Sequence, residues 1–376
     1  MRFLLFVILF PISIFSQTIP RLDHGAYTVD TFSFAVSPDS RYLAFNQEKH
    51  ESNKETPDYL LWIFDLEKLE LKLLGSDSSW FTRIRFIDSD RLAYLTKDEG
   101  IKVLDTNGKL VKNIKNGDLS DHCGNYFLTG NGAEVTFWSK DLQKQKILNG
   151  LGQFRSSDCS ETDILLIFQS QAVHLNPVTW EPICKIQGKN GKLTRLTEGK
   201  ILPNNRLLVM DERSGFAIYE NCKEIKSVYA NAPGFATNSS AIFLGMSGSN
   251  SLRGGTNLGP FSYSYGIRVY DPAGSFLREI PFLHPVREMQ FFPGKEDKLI
   301  LLPWGDHFYF LDLKSGEQLI LEIRQTGHWL LKSQNGSYNT NQESEPFLYF
   351  TEQNSITSSS GKKESRNLFQ TFLKGN

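Results

Sequence analysis

A short phrase, two or three apolar residues closed by an acid and followed by a turn, recurs along the chain and constrains its fold more than any other feature. It reads Trp62-Ile63-Phe64-Asp65, Val103-Leu104-Asp105, Val269-Tyr270-Asp271 and Phe310-Leu311-Asp312, with weaker copies ending at Ser139, Asn176 and Glu220. Successive spacings are about 40, 34, 37, 44, 51 and 41 residues, the period of a repeat that contributes one four-stranded unit.

A second element lies between the phrases: a turn flanked by short β-rich stretches. It runs from Ser33 to Phe45 around Pro38-Asp39-Ser40, from Ile84 to Leu95 around Asp88-Ser89-Asp90, and again near Pro203 and Pro293. A Pro-Asp-Ser sequence presets a chain reversal, so each copy reads as a hairpin. The unit is then strand a, turn, strand b, loop, strand c ending at the acid, turn, strand d. No stretch shows a long 3.6-residue apolar period. Stacked flat, such units would leave open edges, and radial closure protects them. The expectation is an all-β chain forming a β-propeller of seven four-stranded blades. The alternative is eight, if residues 327–376 add a unit around Phe347-Leu348-Tyr349-Phe350. A further possibility is that His24 to Val29 supplies the outer strand of the last blade.

The run Ser37-Pro38-Asp39-Ser40-Arg41-Tyr42-Leu43-Ala44-Phe45 resembles the strand-turn-strand signature of WD40-like repeats, such as those of TolB-type periplasmic propellers. The phrases ending at Asp65, Asp105, Asp271 and Asp312 look like the place where WD40 repeats carry Trp-Asp. The resemblance spans residues 33–323, good in four repeats and poor in three. No repeat has Trp-Asp itself or a clear Gly-His opening, so the Asp-His-Ser/Thr-Trp network of true WD40 units is not implied. What the resemblance implies is the fold and a tendency toward protein binding, with no catalytic residue.

Residues 1–17 have the layout of a secretory signal peptide: Arg2, an apolar run from Phe3 to Phe15, then Ser16 and Gln17. A membrane anchor usually needs about 20 apolar residues, and no Cys follows the run for lipoprotein acylation. The expected organisation is a leader at 1–17, a propeller at 18–326, and a closing blade or partly flexible tail at 327–376. The destination is periplasmic or extracellular, with no membrane span after cleavage. A formal charge of -1 supplies no basic field for nucleic acid, and 40% hydrophobic residues suffice for a large core.

Chemistry leaves little trace. Gly245-Met246-Ser247-Gly248-Ser249 lacks the second glycine of a nucleophile elbow, and no phosphate-cradling loop occurs. The seven His show no metal-ligand spacing; Asp121-His122 and Asp306-His307 are the best carboxylate–imidazole pairs, read as local turn or strand-end partners. No catalytic residue, metal ligand or cofactor is assigned. Cys123 and Cys159 precede strand b in successive repeats, and Cys184 and Cys222 lie near the starts of successive outer strands. Four Cys allow three pairings, of which Cys123–Cys159 with Cys184–Cys222 is the candidate set.

Two insertions fall between strands b and c: Gln47 to Asp58 in the first repeat and Gly245 to Gly266 in the sixth. The second contains Arg253, Phe261, Tyr263 and Tyr265, aromatic and guanidinium groups that suit protein or glycan contact. Loops b–c share one face of a propeller. The sequence therefore predicts a noncatalytic exported propeller binding a protein or other envelope or extracellular component through that face. The alternatives are a hydrolase with its site at the central channel and a structural scaffold.

Overall fold

The structure, a computed structural model, describes residues 19–22, 31–49, 57–77, 81–96, 99–115, 117, 119–160, 162–187, 195–211, 215–228, 230, 232–246, 265–303, 305, 307–324, 326–352, 355–357, 363–364 and 367–374. Seven antiparallel sheets follow one another in chain order, each with strand order a-b-c-d: residues 31–77, 81–114, 119–148, 154–187, 196–228, 234–281 and 286–323. They are the blades of a seven-bladed β-propeller.

The recurring acid is a turn cap. The Oδ1 atom of Asp65 accepts the N–H groups of Glu67 and Lys68, both at 3.0 Å. Asp105 does the same for Asn107 and Lys109, Asp271 for Ala273 and Ser275, and Asp312 for Lys314 and Ser315. Asn176 caps Val178 and Thr179, and Ser139 Oγ reaches Gln143 N–H. A short side-chain acceptor thus replaces the backbone partner that strand c loses as it turns into strand d. Glu220 is too long for this; there Asn221 and Cys222 take left-handed φ of 49° and 65°, and the carboxylate instead accepts Arg206 Nε at 2.9 Å.

Strands b and c are apolar along nearly their whole length because neighbouring blades cover both of their faces. Every residue of strand b in blade 4, Ile164–Phe168, is buried, whereas strand d of blade 3, Lys144–Leu148, is mostly exposed at the rim. Seven apolar clusters result, one at each seam. Ala35, Leu61, Ile84 and Tyr94 join blades 1 and 2, for example, and Phe243, Met289 and Leu301 join blades 6 and 7.

The seam between blades 7 and 1 has no direct a-to-d chain continuity and is closed by packing. Phe34, Phe45 and Phe64 of blade 1 share a cluster with Phe292, Phe308 and Phe310 of blade 7. Blade 7 forms its own strand d, Gln318–Ile323, and no eighth four-stranded blade follows among the described residues. Instead Trp329–Ser333 and Tyr338–Thr340 extend the blade 7 sheet to six strands, and Ile19–Leu22 pairs with Leu348–Glu352 in a separate three-stranded sheet. Residues 1–17, and His24 to Val29 proposed for the outer strand, lie outside the described residues. A short terminal helix, α1 (Leu368–Lys374), drives Phe369 and Phe372, both 0% exposed, into the seam cluster. Asn367 caps it through Oδ1 to Phe369 N–H, while its Nδ2 donates to the carbonyls of Leu66 and Glu67 in blade 1.

Candidate functional site

The seven a strands ring the propeller axis, and five of them slip register near their start. The irregularities fall between Thr31 and Phe34, Thr82 and Arg85, Phe154 and Ser156, Leu196 and Gly199, and Val286 and Glu288. A β-bulge bends its strand and re-aims side chains, and bulges concentrate beside functional sites. The residues within these slips include Phe32, Arg83, Arg155, Glu198 and Arg287. Strand a begins on the side of the disc where loops b–c emerge, because successive strands alternate in direction. The five slips therefore lie toward the b–c mouth of the channel.

Inside is a cavity of about 710 Å³ lined by Arg85, Asp121, Ser157, Lys200 and Glu288, with Phe32, Phe86, Phe235 and Phe291 as apolar wall. That volume falls within the range of small-ligand pockets, roughly 300–1,000 Å³. Two carboxylates also bind adjacent blades together. Asp121 accepts Ser157 N–H at 2.6 Å and faces Arg85 Nε at 3.4 Å; Asp158 accepts Ile201 N–H at 2.8 Å and Lys200 Nζ at 2.9 Å. Burial works against charge on Arg85 and Lys200, yet the surrounding carboxylates together raise both pKa values, Asp121 with Glu288 and Glu198 around Arg85, and Asp158 with Asp121 and Glu198 around Lys200.

Glu288 is different. Burial pushes its carboxyl up to about 7, with Glu198 adding repulsion, although Arg85, Phe34 N–H and Arg287 oppose the shift. Its Oε2 accepts Phe34 N–H across the blade 7–blade 1 seam at 3.4 Å. Near neutral pH it can therefore give or take a proton inside the channel. Arg287 stacks over the Phe32 ring at 4.5 Å and donates to Thr31 O at 3.4 Å.

A smaller cleft of about 330 Å³ lies between blades 2 and 3 around Trp138. Two of its polar groups are engaged within the fold: Trp138 Nε1 donates to Thr129 Oγ1, and Lys112 Nζ donates to Leu142 O while lying over the indole.

Of the binding and cysteine residues singled out in the sequence, Tyr265 and the four Cys are described, and none of them lines the central cavity. The b and c strands of blade 6, Ile242–Gly245 and Gly266–Tyr270, bracket the long insertion, and Tyr265 stands exposed at its exit. Arg253, Phe261 and Tyr263 lie outside the described residues. Cys123 and Cys159 end strands a of blades 3 and 4, with Cα atoms 4.9 Å apart; Cys184 and Cys222 bring blades 4 and 5 to 5.7 Å. Both separations are ones a disulfide spans. All four positions adjoin a–b or c–d turns, on the side opposite the b–c loops.

Asp121 does not orient the His122 ring; it accepts that residue's own N–H at 2.9 Å, and burial lowers the His122 pKa. Asp306 lies outside the described residues, while His307 faces Glu322 at 3.4 Å. Among the described residues, no group of three His, Cys, Asp or Glu is placed to hold a metal ion, and no helix is long and apolar enough to cross a membrane. Sequence reasoning passed over the channel charges. The available signal was Thr82-Arg83-Ile84-Arg85 and Glu198-Gly199-Lys200, charges spaced by two in stretches that read as innermost strands.

The chain is similar in fold to Sqt1 from Chaetomium thermophilum, with TM-score 0.53 at 11% identity over 80% of this chain and 85% of that one. KlHsv2 with its loop 6CD replaced by a Gly-Ser linker gives TM-score 0.49 at 8% identity over 84% and 99%. No protein-family model and no curated protein matches the sequence.

Proposed function

We propose that the chain is an exported, noncatalytic propeller of the WD40-like, TolB-type kind that binds a protein of the envelope or extracellular space through its b–c face. The observation that carries this reading is the division of labour between the two sides of the disc. Strands bracketing both insertions, Tyr42–Lys49 with Asp58–Asp65 and Ile242–Gly245 with Gly266–Tyr270, open on one side. The two cysteine pairs lie on the other. Rigid blades supporting long loops on one face suit recognition, since loops on a fixed scaffold vary without cost to the core. Two cysteine pairs at bonding distance favour an oxidising compartment, in keeping with the leader-like residues 1–17.

Deletion of residues 248–259 tests the reading. Crosslinking in the native envelope followed by mass spectrometry should lose the captured partner, while thermal unfolding stays within about 0.5 kcal/mol of the parent, as expected for a surface change. Equal capture by the deleted protein would refute the assignment.

A further inference from the structure

We propose that the central cavity binds a neutral sugar against the uncharged wall of blade 6, its hydroxyl groups held between the carboxyl groups of Glu198 and Glu288.

The order of the blades supplies the first reason. Glu198 belongs to strand a of blade 5 and Glu288 to strand a of blade 7, and both line the cavity. Glu198 lies within the register slip of its strand and Glu288 closes the slip of its own, the kind of bulge that re-aims a side chain. Between them, strand a of blade 6, Gly234–Thr237, lines the cavity without a charge and with Phe235 and Ala236 as its apolar part. Two carboxyl groups thus flank an apolar surface. That combination suits a sugar ring, whose hydroxyls lie along its edge and whose C–H groups lie on its faces.

Unmet hydrogen-bonding capacity supplies the second. The other charged groups lining the cavity are occupied: Arg85 with Asp121, Lys200 with Asp158, and Arg287 with Thr31 O and the Phe32 ring. Among the described residues, Glu198 makes no hydrogen bond or ion pair, and Glu288 accepts Phe34 N–H alone, through Oε2. A carboxylate has room for about four donors, so both retain acceptor sites. Ser156 and Ser157 of blade 4, 7% and 5% exposed, also line the cavity, and the Oγ of each is buried without a partner. Buried polar atoms left unpaired cost free energy. A ligand that completes this set must be rich in donors and able to accept, and a hydroxyl does both.

Charge supplies the third. Around the cavity Arg85, Lys200 and Arg287 are matched by Asp121, Asp158 and Glu198. Burial, against the opposing charge of Arg85, pushes the Glu288 carboxyl up to about 7, so the cavity resists even its own fourth negative charge. An anion meets that same resistance, and a cation meets the three basic side chains. A neutral ligand meets neither.

This site uses inner strands and stands apart from the loop reading. The test is calorimetric titration of the protein with glucose, galactose, mannose, N-acetylglucosamine, maltose and cellobiose, beside hexanoate and hexylammonium as charged probes. At least one sugar should bind saturably at millimolar concentration or below, and more tightly than either charged probe. Glu198→Gln and Glu288→Gln should each weaken that sugar by about tenfold, since a charged acceptor becomes a neutral one, while the amide oxygen at position 288 still serves Phe34 N–H. Ser156→Ala should weaken it less. Deletion of 248–259 should leave it unchanged; loss of sugar binding in the deleted protein would place the sugar on the loops and overturn the proposal. Absence of saturable binding by every sugar, tighter binding of hexanoate or hexylammonium, or indifference of folded Glu198→Gln and Glu288→Gln proteins would overturn it equally.

Discussion

Asp312 uses its two oxygens for different purposes. Oδ1 caps the c–d turn, while Oδ2 accepts Lys298 Nζ at 2.6 Å and Ser315 Oγ at 2.8 Å. Lys298 and Asp312 are 3% and 4% exposed, so the pair is buried, and the same ammonium lies 4.8 Å from the Phe372 ring centre. Burial alone would raise the Asp312 pKa; hydrogen bonds from Lys298, Ser315 and the turn amides overcome it and bring the carboxyl down to about 2 from 3.8. A depressed carboxyl stabilises the fold above its unfolded pKa, and that stability is lost as pH falls from about 4 through 2. Asp312→Asn keeps a capping oxygen but strands the ammonium, which should cost about 3–5 kcal/mol at pH 7. In urea unfolding the difference from wild type should shrink as pH falls from 4 toward 2. A difference that stays constant with pH would show that lost packing, not charge, is responsible. The recurring Asp was legible in the sequence because one oxygen does the same capping work in successive turns; its tie to Lys298 was not, since pairing across strands depends on register.

The strands explain why the architecture could be read and the channel could not. Strand c announces itself because both its faces are covered, giving unbroken runs such as Leu60 to Phe64. Strand a has one wet side, and in five blades the slip near its start breaks the two-residue alternation that would mark which side each residue faces. Arg83 and Arg155 sit within those phase errors. The terminal helix was hidden for another reason. Seven residues are too few for an apolar period, and an isolated helix of that length is unstable in water, so α1 owes its form to the seam it enters. Phe369 touches Phe292 and Phe310 at centroid separations of 5.3 and 5.2 Å. Phe369→Ala should therefore destabilise the protein by about 3–5 kcal/mol, the usual result of emptying a buried aromatic site. Chemical denaturation reads the loss directly, and a change under about 1 kcal/mol would mean that α1 rests on the seam without supporting it.

In a closed ring of blades each unit touches only its neighbours, so stability divides among the seams. They are secured in different ways. Short chain links join blades 1 through 7 in order, and the cysteine pairs at seams 3–4 and 4–5 close segments with sequence separations of 36 and 38 residues. The 7–1 seam relies on non-covalent contacts: the largest apolar cluster, Gln47 Nε2 to Ile323 O at 3.3 Å, Thr31 N–H to Gly305 O at 3.2 Å, and the Asn367 bridge. Two perturbations should accordingly loosen opposite parts of the disc. With Cys123–Cys159 and Cys184–Cys222 bonded as we propose, reduction removes cross-links worth roughly 2–4 kcal/mol each and should speed amide exchange in blades 3, 4 and 5 first. Truncation after residue 366 should leave those blades protected and speed exchange in strands a and b of blade 1 and strand c of blade 7. Hydrogen exchange followed by peptide-level mass spectrometry separates these outcomes. If both treatments raised exchange evenly around the ring, the blades would be opening as one cooperative unit, and closure would be shared by all seven seams instead of resting on the helix that spans the gap.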